Sequence, residues 1–379
     1  MAPLSFRRLG NAPTLAYQSV RKPGETDMID RRTLLAGGAV LATVGSAKAA
    51  RQTNAKHLAI DSVKLPASFN GVLAYGRGGR IEHLRCAGKA DVEANRPVTA
   101  ATRFKWGSAS KWATSTAMLR LVEQGRLSLD APITAYLPNF RRDTGERVRI
   151  AHLLSNTTGV PDLMSKQLQV EPALRTSSAT PADIVARFGG GDLLFTPGQG
   201  WDYAALNWVI VAAIVHTVTG RSLAAFVTDT VFQPLHMAKT GFAQADQPLM
   251  PALAAAYTDA VPPVRKMLSV PSFVAGSGNV ASTAADAVRA AHGIFHGGLI
   301  GPASRAALTA IRWPAEEYAL GGRIHLIDGE PWAWETGKVQ GYRAHIAHRL
   351  RHSETIVVFN NTDMFQSAIA SWVEEIIRA

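Results

Sequence analysis

A serine and a lysine three residues apart, Ser108 and Lys111, stand within Trp106-Gly107-Ser108-Ala109-Ser110-Lys111-Trp112. Residues at that spacing on a helix share a face, so the amine reaches the hydroxyl. A serine hydroxyl is a weak nucleophile until a base takes its proton. A lysine serves as that base only where burial lowers its pKa towards neutrality. The apolar positions that follow, Trp112, Ala113, Leu119, Leu121 and Val122, fit one helical face, and Gly125 suits the helix end. The pair therefore opens a helix, whose positive dipole end and free N–H groups lie beside a developing oxyanion. Ser-x-x-Lys alone also recurs on solvated helix faces, so the rest of the chain must decide its meaning.

The elements that position the pair are legible in outline. Phe69–Tyr75 and Ile81–Cys86 read as two strands around the turn Gly76-Arg77-Gly78-Gly79-Arg80, which lacks the G-x-G-x-x-G spacing of a phosphate loop. A short helix ending in a turn is expected within Val148–Val160. Longer helices are expected at Pro181–Phe188, Asn207–Val218 closed by Gly220, Leu223–Phe232 stopped by Pro234, and Ala284–Phe295. The C-terminal third returns to strands at Arg323–Ile327, Trp332–Thr336, Arg343–His348 and Thr355–Phe359, then a helix at Phe365–Ile377. This order predicts an α+β fold. The N- and C-terminal strands join in one antiparallel sheet flanked by helices, and the middle forms a mostly helical lobe. No repeat or linker-like shift in composition divides residues 50–379, which are expected to form one domain.

Of the 379 residues, 47% are hydrophobic, enough for a full core. The single cysteine, Cys86, excludes an intramolecular disulfide framework and a cysteine metal cluster; it is expected as a buried small apolar residue. Residues 1–49 read as a leader. Asp30-Arg31-Arg32-Thr33-Leu34-Leu35 opens an uncharged run to Ala47, and Ala47-Lys48-Ala49 fits a small-x-small cleavage site. The run is too short to span a bilayer comfortably. The paired arginines predict twin-arginine export to the periplasm, with Met28 as the true start. The net charge of +11 comes without any Lys/Arg run interleaved with aromatics, so nucleic acid is not an expected partner. No stable membrane insertion is expected after leader cleavage.

Several further stretches accompany Ser108 in order: Phe69-Asn70-Gly71-Val72, Arg103-Phe104, Leu121-Val122-Glu123-Gln124-Gly125-Arg126-Leu127, His152-Leu153-Leu154-Ser155-Asn156-Thr157-Thr158-Gly159, Pro197-Gly198 before Tyr203, and Leu235 with Met237 after Pro234. With them the chain resembles the serine β-lactamase-like and penicillin-binding-protein superfamily, in its class C β-lactamase, D-aminopeptidase and esterase branch. The resemblance covers most of residues 69–360. It implies Ser108 as nucleophile and Lys111 as its proton partner. The family's Tyr-x-Asn motif maps onto Tyr203-Ala204-Ala205, so Tyr203 would relay the proton. Ala205 lacks the amide that holds the substrate's acyl side; Asn207 replaces it only if the backbone presents Asn207 to the cleft. The family's Lys/His-Thr/Ser-Gly strand maps onto Glu335-Thr336-Gly337. Gly337 would admit substrate close to the strand, and the Lys338 N–H would join that of Ser108 in holding the oxyanion.

Glu335 is the departure that matters most. An acid where the family has a basic or neutral group would repel the carboxylate of a β-lactam or a D-Ala-D-Ala terminus. Two readings of it stand at this level. Glu335 attracts a substrate ammonium, or it pairs with Lys111, Lys338 or Arg343; in the Lys111 case the lysine stays charged and Tyr203 is the base. His152, amid apolar neighbours, is expected to be structural. His345 and His348 face opposite sides of a strand and, with His325, make a poor metal set. No G-x-S-x-G elbow occurs. Trp112, Trp208 and Trp334 flank the motifs as walls of an apolar acyl pocket. The expected function is an exported serine hydrolase forming an acyl-enzyme on Ser108 with a small-molecule ester or peptide substrate, without metal or organic cofactor. The alternatives are a non-catalytic cell-envelope binding protein on the same fold, a β-lactamase or D,D-peptidase, and acyl transfer to an acceptor other than water.

Overall fold

The computed structural model describes residues 53–379 apart from 245–248 and 268–269; the expected leader and the start at Met28 lie outside the described residues. Strands β1 (Gly71–Arg77) and β2 (Arg80–Ala87) form the N-terminal hairpin. Its turn needs left-handed backbone at Gly78 (φ 55°) and Gly79 (φ 79°), which glycine adopts without a Cβ penalty. Strands β3 (Arg323–Ile327), β4 (Glu330–Val339), β5 (Tyr342–Arg349) and β6 (Glu354–Asn360) come from the C-terminal third. The sheet order is β3-β4-β5-β6-β1-β2, antiparallel throughout. The two ends of the chain meet where β1 pairs β6, from Gly71 opposite Asn360 to Arg77 opposite Glu354.

The helices that matter for the site are α1 (Ser110–Glu123), α2 (Ala205–Thr219), α3 (Ala284–Phe295) and α4 (Gln366–Arg378). Side chains alternate across each strand. On one face Leu73, Tyr75, Ile356 and Val358 pack against Ile369, Val373 and Ile376 of α4. On the other, Val72, Ala74, Val357 and Phe359 join the larger core with α1, α2 and α3. Each fully buried side chain of this kind contributes about 1.5–3 kcal/mol. Every residue of α2 from Leu206 to Val215 is buried, so the helix is apolar all round because it is a core helix. Among the described residues no single helix is long and apolar enough to cross a membrane.

One expectation changes. Cys86 is exposed: β2 is the outermost strand, and its residues there are exposed or half-buried. The helix expected at Leu223–Phe232 is present, α-helical over Leu223–Val227 and π-helical over Thr228–Phe232. Helices at Leu163–Val170 and Pro302–Thr309 were not evident from the sequence. Each is eight residues long and buries few side chains, too little for a periodic signal.

Strand β4 is twice as long as β3, whose pairing with it ends at Trp334. From Glu335 onward β4 keeps β5 on one edge only, and Trp106 to Ala109 lie against it. A Cβ on Gly337 would stand 1.8 Å from the Trp106 carbonyl oxygen; one on Gly107 (φ 53°) would stand 2.8 Å from the Lys338 nitrogen. Both obstacles are backbone, which cannot move aside. Gly337→Ala is therefore expected to cost at least about 1–3 kcal/mol and to dislodge Ser108 from β4. Gly298→Ala, whose added Cβ meets nothing within 4 Å, is the control. Thermal unfolding and Ser108 labelling by a fluorophosphonate check both; equal behaviour of the two variants contradicts the contact.

Candidate active site

Ser108 sits in a 3-10 turn, Gly107–Ala109, that runs directly into α1. The turn is anchored from both sides. The Trp106 N–H donates to the Val280 carbonyl at 2.8 Å and its indole to Ser282 Oγ at 2.7 Å. Ser110 Oγ accepts the Val280 N–H at 3.2 Å. Lys111 lies in the first turn of α1 and is 2% exposed.

Tyr203 arrives from the other side of the cleft on the extended segment before α2. The Asp202 N–H donates to the carbonyl of Asn156 at 3.0 Å; Asn156 itself is left-handed (φ 58°) and closes the helix Ile150–Ser155. Asp162 accepts the Ala205 N–H at 2.6 Å and the Ser165 N–H at 2.9 Å, serving the free donors of two helix starts at once. Asn207 does not replace the missing amide at 205. It is fully buried, accepts the Thr158 hydroxyl at 2.9 Å and donates to Asn156 Oδ1 at 3.3 Å. The backbone turns it away from the cleft because position 207 lies within the first turn of α2, facing the Asn156–Thr158 loop. That loop, matched in sequence without a role, is the mount for Tyr203.

These two arms bring three side chains together. Lys111 Nζ donates to Tyr203 Oη at 2.6 Å, and Tyr203 Oη bonds Ser108 Oγ at 2.6 Å. Lys111 Nζ also donates to the Ser277 carbonyl at 3.2 Å and lies 4.7 Å from the centre of the Tyr203 ring and 5.4 Å from that of Trp208. The Ser277 carbonyl was not foreseen. Its one signal is the small-residue run from Ala275: Gly276 packs so close that a Cβ would stand 2.9 Å from the Trp208 carbonyl. Tyr318, also unforeseen, is fully buried and stands edge-on to Tyr203 at 6.3 Å and to Trp201 at 5.6 Å; burial pushes its phenol well above the ordinary value.

The beta-lactamase family model matches residues 64–373. The chain belongs to that family. Esterase EstB of Burkholderia gladioli is 36% identical over 186 residues, 46% of this chain and 47% of that esterase, so the chain matches about half of its curated relative's length. Two solved structures share the beta-lactamase-like fold. A penicillin-binding protein from Bacillus halodurans gives a TM-score of 0.71 at 23% identity, covering 81% of this chain and 95% of its own. The D-amino acid amidase from Ochrobactrum anthropi SV3 gives 0.73 at 20% identity, covering 86% and 98%.

Against the family's third motif, the structure puts Thr336 half-buried, Gly337 buried and Lys338 exposed, with the Lys338 nitrogen beside Gly107. Glu335 is only 1% exposed and lies behind the cleft, so it cannot receive a substrate ammonium. Its partner is Arg323, at 3.8 Å. Lys338 points to solvent, and Arg343 is taken by the carbonyls of Asp363 and Met364 and by the Asp363 carboxylate at 3.2 Å. The strand pairing explains this. Arg323 enters opposite Trp334, one residue from Glu335, a neighbour that linear spacing does not reveal. The three tryptophans are core and not pocket walls: Trp112 packs on Phe295, Trp208 is fully buried, and Trp334 packs over His345 on the opposite face of the sheet. Trp201 and the 39%-exposed Tyr203 are the aromatic residues at the reacting end.

His152 is structural, its Nδ1 accepting the Arg149 N–H at 3.1 Å at a helix start. His345 and His348 do lie on opposite faces, one under Trp334 and the other bonded to His296 at 2.8 Å. Among the described residues no three ligand-type side chains could hold a metal ion. A cavity of about 760 Å³ opens elsewhere, between Ala213, Thr217, Ser222 and Thr180, and its wall contains none of Ser108, Lys111 and Tyr203.

Burial raises the pKa of Glu335 from 4.5 to about 7, with Arg323 and then Lys111 opposing the rise. A folded pKa above the unfolded one means that the folded state holds a proton the unfolded chain has lost between those values. Stability therefore falls as pH rises from about 4.5 to about 7 and levels off above. Glu335→Gln has no such proton to lose. Its unfolding free energy should gain on the parent by on the order of 3 kcal/mol across that window. Denaturant unfolding at about pH 5 and about pH 8 checks this; an equal difference at both pH values contradicts it.

Proposed function

We propose that the chain is an exported serine hydrolase that forms an acyl-enzyme on Ser108 with an ester or amide substrate. The observation that carries this reading is the unbroken line of hydrogen bonds from Lys111 through Tyr203 to Ser108. Ser108 Oγ attacks the carbonyl carbon as Tyr203 Oη takes its proton and passes its own to Lys111 Nζ along the hydrogen-bonded line. The N–H groups of Ser108 and Lys338 receive the oxyanion. Tyr203 returns the proton to the leaving group as the tetrahedral intermediate collapses. Water then enters by the reverse of these steps and releases the acid.

The substrate reading follows from the same residues. Position 335 offers no exposed cation, and Ala205 offers no amide, so a substrate that relies on a carboxylate anchor gains little here. That favours neutral esters and amides over β-lactams and D-Ala-D-Ala termini. An esterase and a D-amino acid amidase among the similar proteins are consistent with both leaving-group classes. A retired, non-catalytic binding protein has no need to keep all three reacting side chains in one hydrogen-bonded line. Export rests on Arg31-Arg32, the apolar run and Ala47-Lys48-Ala49.

Two measurements test the proposal. A fluorophosphonate should label Ser108 stoichiometrically, with turnover of nitrophenyl esters. Ser108→Ala should lose at least about 1000-fold in kcat/KM with unfolding unchanged. An unlabelled but folded parent favours the binding protein, and the ratio of aminoacyl nitroanilide to ester turnover separates amidase from esterase. Protein recovered from a periplasmic fraction should begin at Ala50; an intact N-terminus on all of the protein there contradicts the leader.

A further inference from the structure

The cavity of about 760 Å³ that lies apart from Ser108 has no part in the reaction above. Its walls come from four segments. They are residues 180–182 at the start of the helix Pro181–Phe188, residues 212–217 of α2, the helix Leu223–Val227 with Asp229 beyond it, and the turn that holds Ser272 and Ala275. A volume of that size suits a small molecule. The wall is apolar in effect. Ala213, Leu223, Ala225, Phe242 and Ala275 supply hydrocarbon. Hydroxyls beside them are bonded to the chain itself: Thr217 Oγ1 donates to the Ala213 carbonyl at 3.1 Å and Thr228 Oγ1 to the Ala224 carbonyl at 2.8 Å, and Ser222 Oγ accepts the Ala225 N–H at 3.2 Å. The one carboxylate of the wall, Asp229, is held by Arg221. The other ionisable wall residue, His216, is exposed to water. A charged ligand therefore finds no buried opposite charge waiting for it, whereas an uncharged one with an apolar body loses little on entry.

The fourth wall is also the mount of Lys111. Residues 271–279 form one closed turn, because Asn279 Nδ2 donates to the Pro271 carbonyl at 3.0 Å across the short helix Ala275–Gly278. Ser272 and Ala275 of this turn line the cavity. From the same turn the Gly276 carbonyl accepts Thr114 Oγ1 at 2.8 Å and the Ser277 carbonyl accepts Lys111 Nζ at 3.2 Å. Gly276 is pressed against α2 and against a cavity residue: a Cβ there would stand 2.9 Å from the Trp208 carbonyl and 3.0 Å from the Leu223 side chain. The turn thus has no slack between the cavity and α1, and a displacement of Ser272 or Ala275 reaches the carbonyl that holds Lys111.

We propose that the cavity is a second ligand site, for an uncharged and largely apolar small molecule, and that its occupant quickens the acylation of Ser108 by steadying the turn that holds Lys111. The regulatory part rests on the hydrolase reading; the binding part stands without it. A ligand favours the arrangement to which it binds. The arrangement that contains the cavity is also the one in which the Ser277 carbonyl meets Lys111. Occupancy therefore keeps the amine at its hydrogen-bond distance from Tyr203, where small displacements cost rate.

The probe is 1-octanol, which is uncharged and has no bond for a hydrolase to cut. In protein carrying 13C-labelled alanine methyl groups, the signals of Ala213, Ala225 and Ala275, each assigned by its loss on substitution with serine, should shift together and saturate as 1-octanol is added. Octanoate and octylammonium should bind at least about tenfold more weakly. Alanine signals that do not move, or that move equally with all three probes, overturn the proposal. Ala225→Phe and Thr217→Trp each place an aromatic ring in the cavity, the first from a half-buried position and the second from an exposed one that leaves the core untouched. Both should abolish the shifts at Ala213 and Ala275. In the parent, 1-octanol should raise the rate of Ser108 labelling by a fluorophosphonate about fivefold; in the filled variants it should change nothing. A rise that persists in them places the alcohol in the cleft and overturns the coupling, as does an unchanged rate in a parent whose alanine signals saturate. A parent that never labels at Ser108 fails the hydrolase reading instead, and the alanine titration still decides whether the cavity binds.

Discussion

The site depends on one close approach of backbone to backbone. The open edge of β4 beyond Trp334 and the turn Trp106–Ala109 come so near that neither Gly337 nor Gly107 has room for a Cβ. This contact fixes the depth of Ser108 in the cleft and brings the Lys338 nitrogen alongside. It exists because β3 is short. A β3 that matched β4 in length would occupy the edge that the serine turn uses. The architecture therefore sets an unpaired strand edge, ordinarily a liability, against the start of a buried helix.

A second constraint mounts Tyr203. Asn156 bonds Asp202 in the segment before α2, Thr158 and Asp162 bond the first turn of α2, and the buried stretch Leu206–Val215 fixes both to the core. The phenol is thus delivered from the start of α2 and the Ser108–Lys111 pair from the start of α1. A line of two 2.6 Å hydrogen bonds between them needs both mounts to be stiff, since small displacements lose much of such an interaction.

Charge is arranged in depth. Arg323 stands between two acids, the buried Glu335 at 3.8 Å and the more exposed Glu316 at 3.1 Å. Alternation of this kind limits the desolvation cost of each buried charge.

The meeting of Ser108, Lys111 and Tyr203 was legible from the sequence because two of them share a helix start and the third lies in a motif that follows in the order the resemblance implies. The antiparallel sheet was legible because the short apolar runs of β1, β5 and β6 and the turn glycines are short-range signals. The boundaries Pro181–Phe188, Ala284–Phe295 and Arg323–Ile327 match their sequence expectations for the same reason. Tertiary structure alone decided what lies next to what across the chain. The sequence offered Lys111, Lys338 and Arg343 as partners for Glu335; of these Lys111 does act on it, and strand pairing added Arg323, the larger influence. It left Asn207 free to face the cleft, whereas helix phase and the Thr158 contact turned it inward. It placed three tryptophans near the motifs, whereas the two faces of the sheet separated them. Spacing along the chain determines which groups one helix or strand can present together. Which of them are buried, paired or aimed at the cleft depends on contacts between residues a hundred or more positions apart, and those are fixed only when the core closes.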